Sequence, residues 1–216
     1  MSEALSPART KSKRERTRDG LVAAAEELFA ARGPDAVSID EITAAAEVAK
    51  GTFYTHFSDK DDIERAIAVL VRTELEAEVG RVNDGIEDAA VRMANGLSTY
   101  LSFAVTHPVR SRTMLRLSSG SVDPDAPANA GLRGDVELGA DSGRFDVGSI
   151  NAAVISVIGA CLAGGAYLMR VPRTRSQRIA SDIVATTLRG LGVKGSEAQK
   201  LAEAAVAAAF AKGGKK

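Results

Sequence analysis

The sequence predicts an all-α protein, and three observations support this prediction. Alanine is abundant, proline occurs only 6 times in 216 residues, and runs of β-branched residues are short, which favours helices over sheets. Apolar residues recur every three or four positions along most of the chain, which is the period of an amphipathic helix. Helix-start and helix-stop signals flank several of these segments, so each element can be placed in order.

The first predicted helix covers about residues 13–32 and carries one apolar stripe at helical spacing. The stripe consists of Leu21, Ala24, Ala25, Leu28 and Phe29. Gly33 and Pro34 end this helix, because neither residue readily continues it. A second helix begins at Ser38, and Glu41 stands three residues later. The two form a capping box, in which each side chain bonds the other's backbone N–H.

A turn at Glu47 and Val48 separates the second helix from a short third helix at about residues 49–55. Ser58 and Asp61 resemble a second capping box and open a long fourth helix, which extends from Asp59 to about Val79. Beyond it the pattern predicts further helices at about residues 84–106, 109–117, 147–170, 173–191 and 196–211. Residues 118–148 are rich in Gly, Ser, Asp and Pro, which predicts a loop with one short helix near residues 132–138.

The charges of the chain are unevenly distributed, although its net charge is zero. The first 18 residues carry 6 basic and 2 acidic side chains, and the remainder is correspondingly acidic. Residues 1–12 are therefore predicted to form a basic, disordered arm, which either follows a DNA backbone or is simply solvated. This segment lacks the apolar stretch of a signal peptide, and the single Cys161 cannot form an internal disulfide. Both features favour a cytoplasmic protein.

Residues 152–169 contain no charged side chain and are close to the minimum length of a membrane-spanning helix. Because glycine, alanine and serine are frequent there, we expect a buried helix that another helix approaches closely, and no membrane association. Cys161 lies in this segment and is expected to be a small buried thiol, with a redox switch as the alternative.

The pair of short helices at about residues 37–56 suits DNA, because the second helix of a helix-turn-helix enters the major groove. Ala49 and Gly51 have little side chain, so the backbone of the third helix can approach a duplex, and Lys50 can reach a phosphate or a guanine edge. Other side chains suited to phosphates or base edges are Ser38, Thr52, Tyr54, Thr55, His56 and Lys60. Five of these residues have a structural alternative: Ser38 as a helix cap alone, Lys50 and Lys60 as solvated lysines, Tyr54 as a packing residue alone, and His56 as a residue that only ends a helix.

This region resembles the TetR family of transcriptional regulators. The resemblance covers about residues 17–70 and rests on ELFAARG at 27–33, SIDEIT at 38–43 and above all KGTFYTHFSDKDD at 50–62. It implies DNA contacts at Ser38, Lys50, Thr52, Tyr54, His56 and Lys60, with a further backbone contact at Thr17 and Arg18. The chain departs from the family at the turn, where Glu47-Val48-Ala49 replaces the usual Gly-Val-Ser. Loss of the glycine strains the turn by about 1 kcal/mol if that residue needs a left-handed conformation, and loss of the serine removes a cap and a phosphate contact.

The resemblance also implies how the domains are organised. Residues 13–72 would form a three-helix, helix-turn-helix DNA-binding domain, joined by the long helix to a helical domain at 73–212 that binds a ligand and forms a homodimer. Candidate pocket residues are Tyr100, Phe103, His107 and Met114, with ordinary core packing as the alternative. Candidate dimer-interface residues are Gly159, Ala163, Ile183 and Thr187, because apolar faces with small residues suit an intermolecular four-helix bundle.

The leading hypothesis is a ligand-responsive repressor that binds a near-palindromic, double-stranded DNA operator as a dimer. A small apolar or amphipathic ligand in the C-terminal domain would move the fourth helix and release the DNA. The alternative is a DNA-binding regulator controlled by a protein partner that docks on residues 118–148. An enzyme or lipid carrier is a third hypothesis, but the sequence offers no phosphate loop, metal-ligand spacing or catalytic group, and it predicts no cofactor.

Overall fold

The computed structural model describes residues 11–116 and 122–212, and every regular element in those ranges is helical. The predicted all-α class is therefore confirmed. The chain divides into two compact units, Met1–Ile67 and Ala68–Lys216, so the division falls slightly before the predicted boundary at residue 72. The predicted basic arm at residues 1–12 lies almost wholly outside the described residues.

The smaller unit contains three helices and the beginning of a fourth. They are α1 (Lys13–Arg32), α2 (Ile39–Ala45), α3 (Lys50–Tyr54) and the first part of α4 (Lys60–Val82). A capping box starts α1: Ser12 Oγ accepts from the Glu15 N–H at 3.2 Å, and the Glu15 carboxylate accepts from the Ser12 N–H at 2.7 Å. The core of this unit consists of Leu21, Ala25, Phe29, Ile42, Phe53, Phe57, Ile63 and Ile67, all almost completely buried. Each of the leucine, isoleucine and phenylalanine side chains among them contributes roughly 1.5–3 kcal/mol through burial, which holds the short helices in place.

The start of α4 differs from the prediction. Asp59 Oδ1 accepts from the Asp62 N–H at 2.7 Å, and the Asp62 carboxylate accepts from the Ser58 N–H at 3.0 Å. Asp62 is thus the partner of Ser58, in place of the predicted Asp61. The backbone hydrogen bond from Ser58 lowers the pKa of Asp62, so this cap is charged near neutral pH.

In the described part of the chain, the larger unit contains the rest of α4 and six further α-helices. They are α5 (Ala89–Thr106), α6 (Pro108–Arg116), α7 (Ala130–Asp141), α8 (Ile150–Leu168), α9 (Arg173–Gly190) and α10 (Gly195–Lys212). Helix α5 is central, because it packs against α6, α7, α8, α9 and α10. Its side chains Met93, Leu97 and Leu101 are almost fully buried in the main core of this unit.

Two predicted helix boundaries in this unit are wrong. Helix α5 begins at Ala89, five residues later than predicted, because Gly85 adopts a φ of +69° that no α-helix continues through. Asp88 then caps the helix, with its Oδ1 accepting from the Ala90 N–H at 2.7 Å. Helix α7 covers 12 residues where the sequence predicted a short helix at 132–138.

Two glycines in this unit lie where a side chain would collide with its surroundings. A Cβ at Gly139 would stand 2.0 Å from the ring of Phe145, which packs directly on the backbone of α7. Gly192 adopts a φ of +93°, and its Cβ would stand 2.8 Å from the Asp146 backbone. The Asp146 N–H donates to the Leu191 carbonyl at 2.9 Å, which fixes the chain before α8 against the end of α9.

Helix α8 is apolar but only partly covered within the chain. Among the described residues it is the one helix long and apolar enough to cross a membrane, yet only 33% of its apolar window is buried. The sequence predicted a buried helix, but only one face of α8 is buried within the chain. The opposite face exposes Ile155, Gly159, Ala163 and Tyr167, which recur at helical spacing.

Candidate nucleic-acid interface and ligand cavity

The capping box predicted for α2 is present in the smaller unit. Ser38 Oγ accepts from the Glu41 N–H at 3.3 Å, and the Glu41 carboxylate accepts from the Ser38 N–H at 2.9 Å. Arg32 also donates to Glu41, at 2.7 Å. The Ser38 N–H, followed by Arg32 and the Ser38 hydroxyl, lowers the pKa of Glu41 to about 2. Ser38 thus caps the helix, and its exposed position leaves its predicted DNA contact open as a prediction.

The turn between α2 and α3 is held by a left-handed residue. Glu47 has a φ of +54° and is the only non-glycine residue in the described ranges with positive φ. The N–H groups of Glu47 and of the next residue are both hydrogen-bonded. Glu47 donates to the Ala44 carbonyl at 3.1 Å, and Val48 donates to the Thr43 carbonyl at 3.0 Å. Glutamate therefore occupies a backbone conformation for which glycine is better suited, at a cost of about 1 kcal/mol or more.

Helix α3 starts without a side-chain cap. Ala49 has the extended backbone of an N-cap residue, with φ −67° and ψ 147°, but its methyl group accepts no hydrogen bond. The absence of serine at this position thus has the structural consequence that the sequence predicted.

One side of α3 anchors the helix and the other is open. Phe53 and Phe57 are almost fully buried, with ring centroids 5.6 Å apart. Tyr54 is 52% exposed, and its ring meets that of Phe53 edge-on. The other outward-facing residues are Lys50, Gly51 and Thr55, with Thr52 and His56 half-buried beside them. The structure therefore brings the predicted residues of this helix onto one accessible face.

Lys50 and Thr55 already have partners within the smaller unit. Lys50 Nζ lies 2.8 Å from Asp40 Oδ1 of α2, and this hydrogen bond raises the pKa of Lys50. Both side chains are more than half exposed, so the ion pair is worth little in free energy and can exchange for a phosphate. Thr55 Oγ1 donates to the Thr52 carbonyl at 2.6 Å, which satisfies the end of α3.

The other predicted DNA residues have structural contacts of their own. Lys60 Nζ donates to the Pro34 carbonyl at 2.9 Å and to the Val37 carbonyl at 3.4 Å, which ties α4 to the chain between α1 and α2. The Arg18 guanidinium lies 5.0 Å from the centre of the Phe57 ring. Thr17 Oγ1 donates to the Lys13 carbonyl at 3.0 Å. The geometry supplies each of these three residues with a structural role, and their DNA contacts remain predictions.

A cavity of about 180 Å³ lies inside the larger unit, between the second half of α4 and helices α5 to α8. Its walls are mainly apolar and include Met93, Leu97, Leu115, Val157, Ile158 and Leu162. Cys161 faces the same space, and burial raises the pKa of its thiol to about 12. A thiol of this kind stays protonated near neutral pH. Cys161 is half-buried, whereas the sequence predicted a buried thiol.

Two ion pairs form the polar part of this cavity. Arg72 Nε lies 3.1 Å from Glu76 Oε1, and Arg92 Nε lies 2.6 Å from Asp135 Oδ1. The hydroxyl of Tyr100 donates to the same Glu76 oxygen, and the Arg72 guanidinium lies 5.7 Å from the centre of the Tyr100 ring. Burial raises the pKa of Tyr100, so its hydroxyl remains a donor.

The structure does not bring the four predicted pocket residues together. Tyr100 and Met114 line the cavity, whereas Phe103 and His107 line a separate groove on the other side of α5. In that groove the rings of Phe103 and His107 are stacked with centroids 4.6 Å apart. Sequence reasoning missed Arg72, Glu76, Arg92 and Asp135. Only the spacing of Arg72 and Glu76, four residues apart on one helix, could have indicated a pair.

The four predicted dimer residues fall into two groups. Gly159 and Ala163 are exposed on the uncovered face of α8. Ile183 and Thr187 of α9 are half-buried, and Ile183 packs closely on Gly164 of the same chain, where an added Cβ would lie 3.2 Å from its Cδ1. Gly159 and Ala163 therefore remain the stronger candidates for contact with another molecule.

Comparison with known proteins connects these features to one family. A family model described as bacterial regulatory proteins, tetR family, matches residues 21–67. The transcriptional repressor DhaR of Mycobacterium sp. (strain GP1) is 35% identical over 86 residues, which are 39% of this chain and 41% of DhaR. The transcriptional repressor BepR of Brucella suis biovar 1 (strain 1330) is 41% identical over 59 residues, which are 27% of this chain and 28% of BepR. The matches thus span less than half the length of these curated relatives, which are regulators and not enzymes.

Similarity to solved structures extends over most of the chain. RolR (NCGL1110) in complex with resorcinol has a TM-score of 0.64 and 26% identity, covering 88% of this chain and 94% of RolR. A TetR-family regulator from Pectobacterium atrosepticum has a TM-score of 0.66 and 24% identity, covering 85% of this chain and 97% of its own. By its helix-turn-helix region and by a fold shared over most of its length, the chain belongs to the TetR family of bacterial transcriptional regulators.

Proposed function

We propose that the protein represses transcription by binding an operator through α3. The observation that carries the proposal is the orientation of this helix. Its aromatic anchor Phe53 is fully buried, while Lys50, Gly51 and Tyr54 point outward. This side of the helix combines a small residue, a cation and a hydroxyl, which suits entry into a major groove. The naming of DhaR and BepR as repressors supports repression over activation.

The DNA contact is tested with an operator obtained by selection from random duplexes. Lys50→Ala and Tyr54→Ala should each weaken operator binding by roughly 10-fold or more, as expected when a base or phosphate contact of about 1–3 kcal/mol is lost. Lys200→Ala, which removes an exposed lysine of α10, serves as the matched control and should bind normally. Unchanged binding by both α3 variants would refute the assignment of this helix.

The proposal includes a homodimer formed through the uncovered face of α8. An exposed stripe that contains Ile155, Gly159, Ala163 and Tyr167 is unusual on a monomer and suits close packing against a second copy. Light scattering should give twice the monomer mass for the wild type and the monomer mass for Gly159→Arg. Lys200→Glu changes charge elsewhere on the surface and should stay dimeric. A wild-type monomer at micromolar concentration would contradict this part of the proposal.

The proposal also includes release of DNA by a small amphipathic molecule in the cavity. RolR, whose fold is similar, has been solved with resorcinol. A cavity of about 150 Å³ can hold benzene, so about 180 Å³ accommodates one ring with small substituents. The cavity includes Arg72 and Glu76 of α4, so a bound ligand contacts the helix whose first eight residues belong to the smaller unit. The cavity supports this reading over control by a protein partner.

Ligand control is tested by extracting small molecules from the organism that naturally contains the protein and adding the extract to the protein–operator complex. The extract should dissociate the wild type but leave Cys161→Phe bound, because a phenyl ring at this position fills the cavity. Cys161→Phe must bind the operator without extract, which shows that the variant is folded. Equal dissociation of both proteins would argue against the cavity as the site of control.

A further inference from the structure

We infer that the cavity selects an uncharged, single-ring molecule with two hydrogen-bond donors, which Glu76 and Asp135 accept. This inference rests on the proposed function, in which the same cavity takes a small ligand. It goes further by naming the recognising groups and the charge of the molecule.

Both arginines of the cavity donate to protein oxygens from two of their three nitrogens. Arg72 donates to Glu76 and also, through its terminal nitrogen, to the Ala128 carbonyl at 2.8 Å and Asn129 Oδ1 at 2.7 Å. Arg92 donates to Asp135 at 2.6 Å and to the carbonyls of residues 83 and 86 at 3.2 and 3.1 Å. Each positive charge is therefore balanced by a carboxylate and oriented by backbone or amide oxygens. Among the described residues that line the cavity, Arg72 and Arg92 are the only cations, and two carboxylates offset their charge.

Each carboxylate accepts hydrogen bonds from the described protein through one of its two oxygens only. Glu76 Oε1 accepts from Arg72 and Tyr100, and Asp135 Oδ1 accepts from Arg92. Within residues 11–116 and 122–212, Glu76 Oε2 and Asp135 Oδ2 accept no hydrogen bond from the protein. Burial raises the pKa of Asp135 against the opposing effect of Arg92, and the charge of Glu76 adds to the increase. Glu76 and Asp135 both line the cavity, so one ligand can contact both carboxylates.

The charge of the ligand follows from this arrangement. A carboxylate on the ligand would lose its hydration in a cavity where two carboxylates already offset the charges of both arginines. An ammonium would lose its hydration too, and the arginines already balance the negative charges. Hydroxyl groups on an uncharged ring lose less hydration free energy on burial than an ion does, and they can donate directly to the second oxygen of each carboxylate. The size of the cavity limits the molecule to one ring.

The chemical test measures the affinities of four single-ring compounds of similar size by titration calorimetry at neutral pH. Resorcinol, which carries two donors, should bind. Its dimethyl ether lacks donors, 3-hydroxybenzoate carries an anion, and benzylamine carries a cation. Each of these three should bind at least 10-fold more weakly, because a lost hydrogen bond to a charged acceptor corresponds to roughly 10- to 100-fold in Kd. Equal or tighter binding of any of the three, or no binding of resorcinol, would overturn the inference.

The residue assignment is tested by a pair of substitutions on α7. A Cβ at Gly131 would lie 3.7 Å from Glu76 Oε2, an ordinary contact that covers this oxygen without disturbing either ion pair. Gly134 lies on the same helix, and a Cβ there meets nothing within 4 Å. Gly131→Ala should weaken resorcinol binding by roughly 10-fold or more, whereas Gly134→Ala should stay within about twofold of the wild type. Equal affinities of the two variants would refute the role of Glu76.

Operator binding separates this inference from the proposed function. If 3-hydroxybenzoate binds more tightly than resorcinol and releases the operator, the inferred selectivity fails while ligand control stands. If resorcinol binds as inferred without releasing the operator, the cavity chemistry stands while ligand control fails.

Discussion

Replacing Glu47 with glycine is expected to stabilise the smaller unit, although glycine usually destabilises folded proteins. Glu47 has a φ of +54°, and the side chain is exposed, so its removal loses no buried contact. A non-glycine residue pays roughly 1–2 kcal/mol for the left-handed conformation. Glycine avoids this cost but gives the unfolded chain extra freedom worth roughly 0.4–1 kcal/mol. The net gain in the free energy of unfolding is therefore about 0.5–1 kcal/mol.

The assay is thermal unfolding of Glu47→Gly beside Glu47→Ala. Alanine removes the carboxylate but keeps the Cβ that clashes in the left-handed region, so it isolates the backbone effect. For a unit of this size, the gain corresponds to an increase of roughly 2–8 °C in Tm for glycine. Alanine should melt close to the wild type. A glycine variant that melts no higher than the alanine variant would refute the argument that the turn is strained.

Three further predictions concern contacts described above. Asp40→Asn frees Lys50 from its ion pair, so operator affinity should rise by a few-fold and fall more steeply with salt; a lower affinity in a salt titration would contradict this expectation. The folded-state pKa of Glu41 is lowered from 4.5 to about 2, so its contribution to stability is complete above about pH 4.5 and is lost as the pH falls towards about 2. As the pH is lowered across this range, the Tm should therefore decrease less for Glu41→Gln than for the wild type. Equal decreases in Tm would refute the coupling between Glu41 and folding. Gly139→Ala places a methyl group 2.0 Å from the Phe145 ring and should cost about 1–3 kcal/mol in denaturant unfolding, against a neutral or slightly stabilising effect for Gly134→Ala; similar stabilities would show that Phe145 moves aside freely.

Local signals predicted the smaller unit well, because its structure is set by neighbouring residues. The capping box of Ser38 and Glu41 lies within four residues of sequence, and the stop at Gly33 and Pro34 depends only on backbone conformation. The predicted partner of Ser58 was wrong because Asp61 and Asp62 are both acidic and adjacent. Only the geometry of the helix start decides which carboxylate turns back to the backbone.

The cavity was harder to predict, because its groups come together only through tertiary packing. Tyr100 and Phe103 are three residues apart on α5, but this helix is surrounded on several sides, so apolar spacing does not indicate which side borders the cavity. Glu76 and Asp135 lie on different helices and have no local signal in common. Lys60 shows the same limit in the smaller unit, since its carbonyl partners precede it by more than twenty residues.

The placement of the tyrosines makes the protein suited to a single spectroscopic experiment. The chain has 3 tyrosines and no tryptophan. Tyr54 lies on the open side of α3, Tyr100 borders the cavity, and Tyr167 is 55% exposed on the uncovered face of α8. Incorporation of 3-fluorotyrosine would give three fluorine resonances, one for each region. Titration with DNA, with a ring compound or with the protein itself would shift a different resonance first, so the order of binding, assembly and release could be followed in one sample.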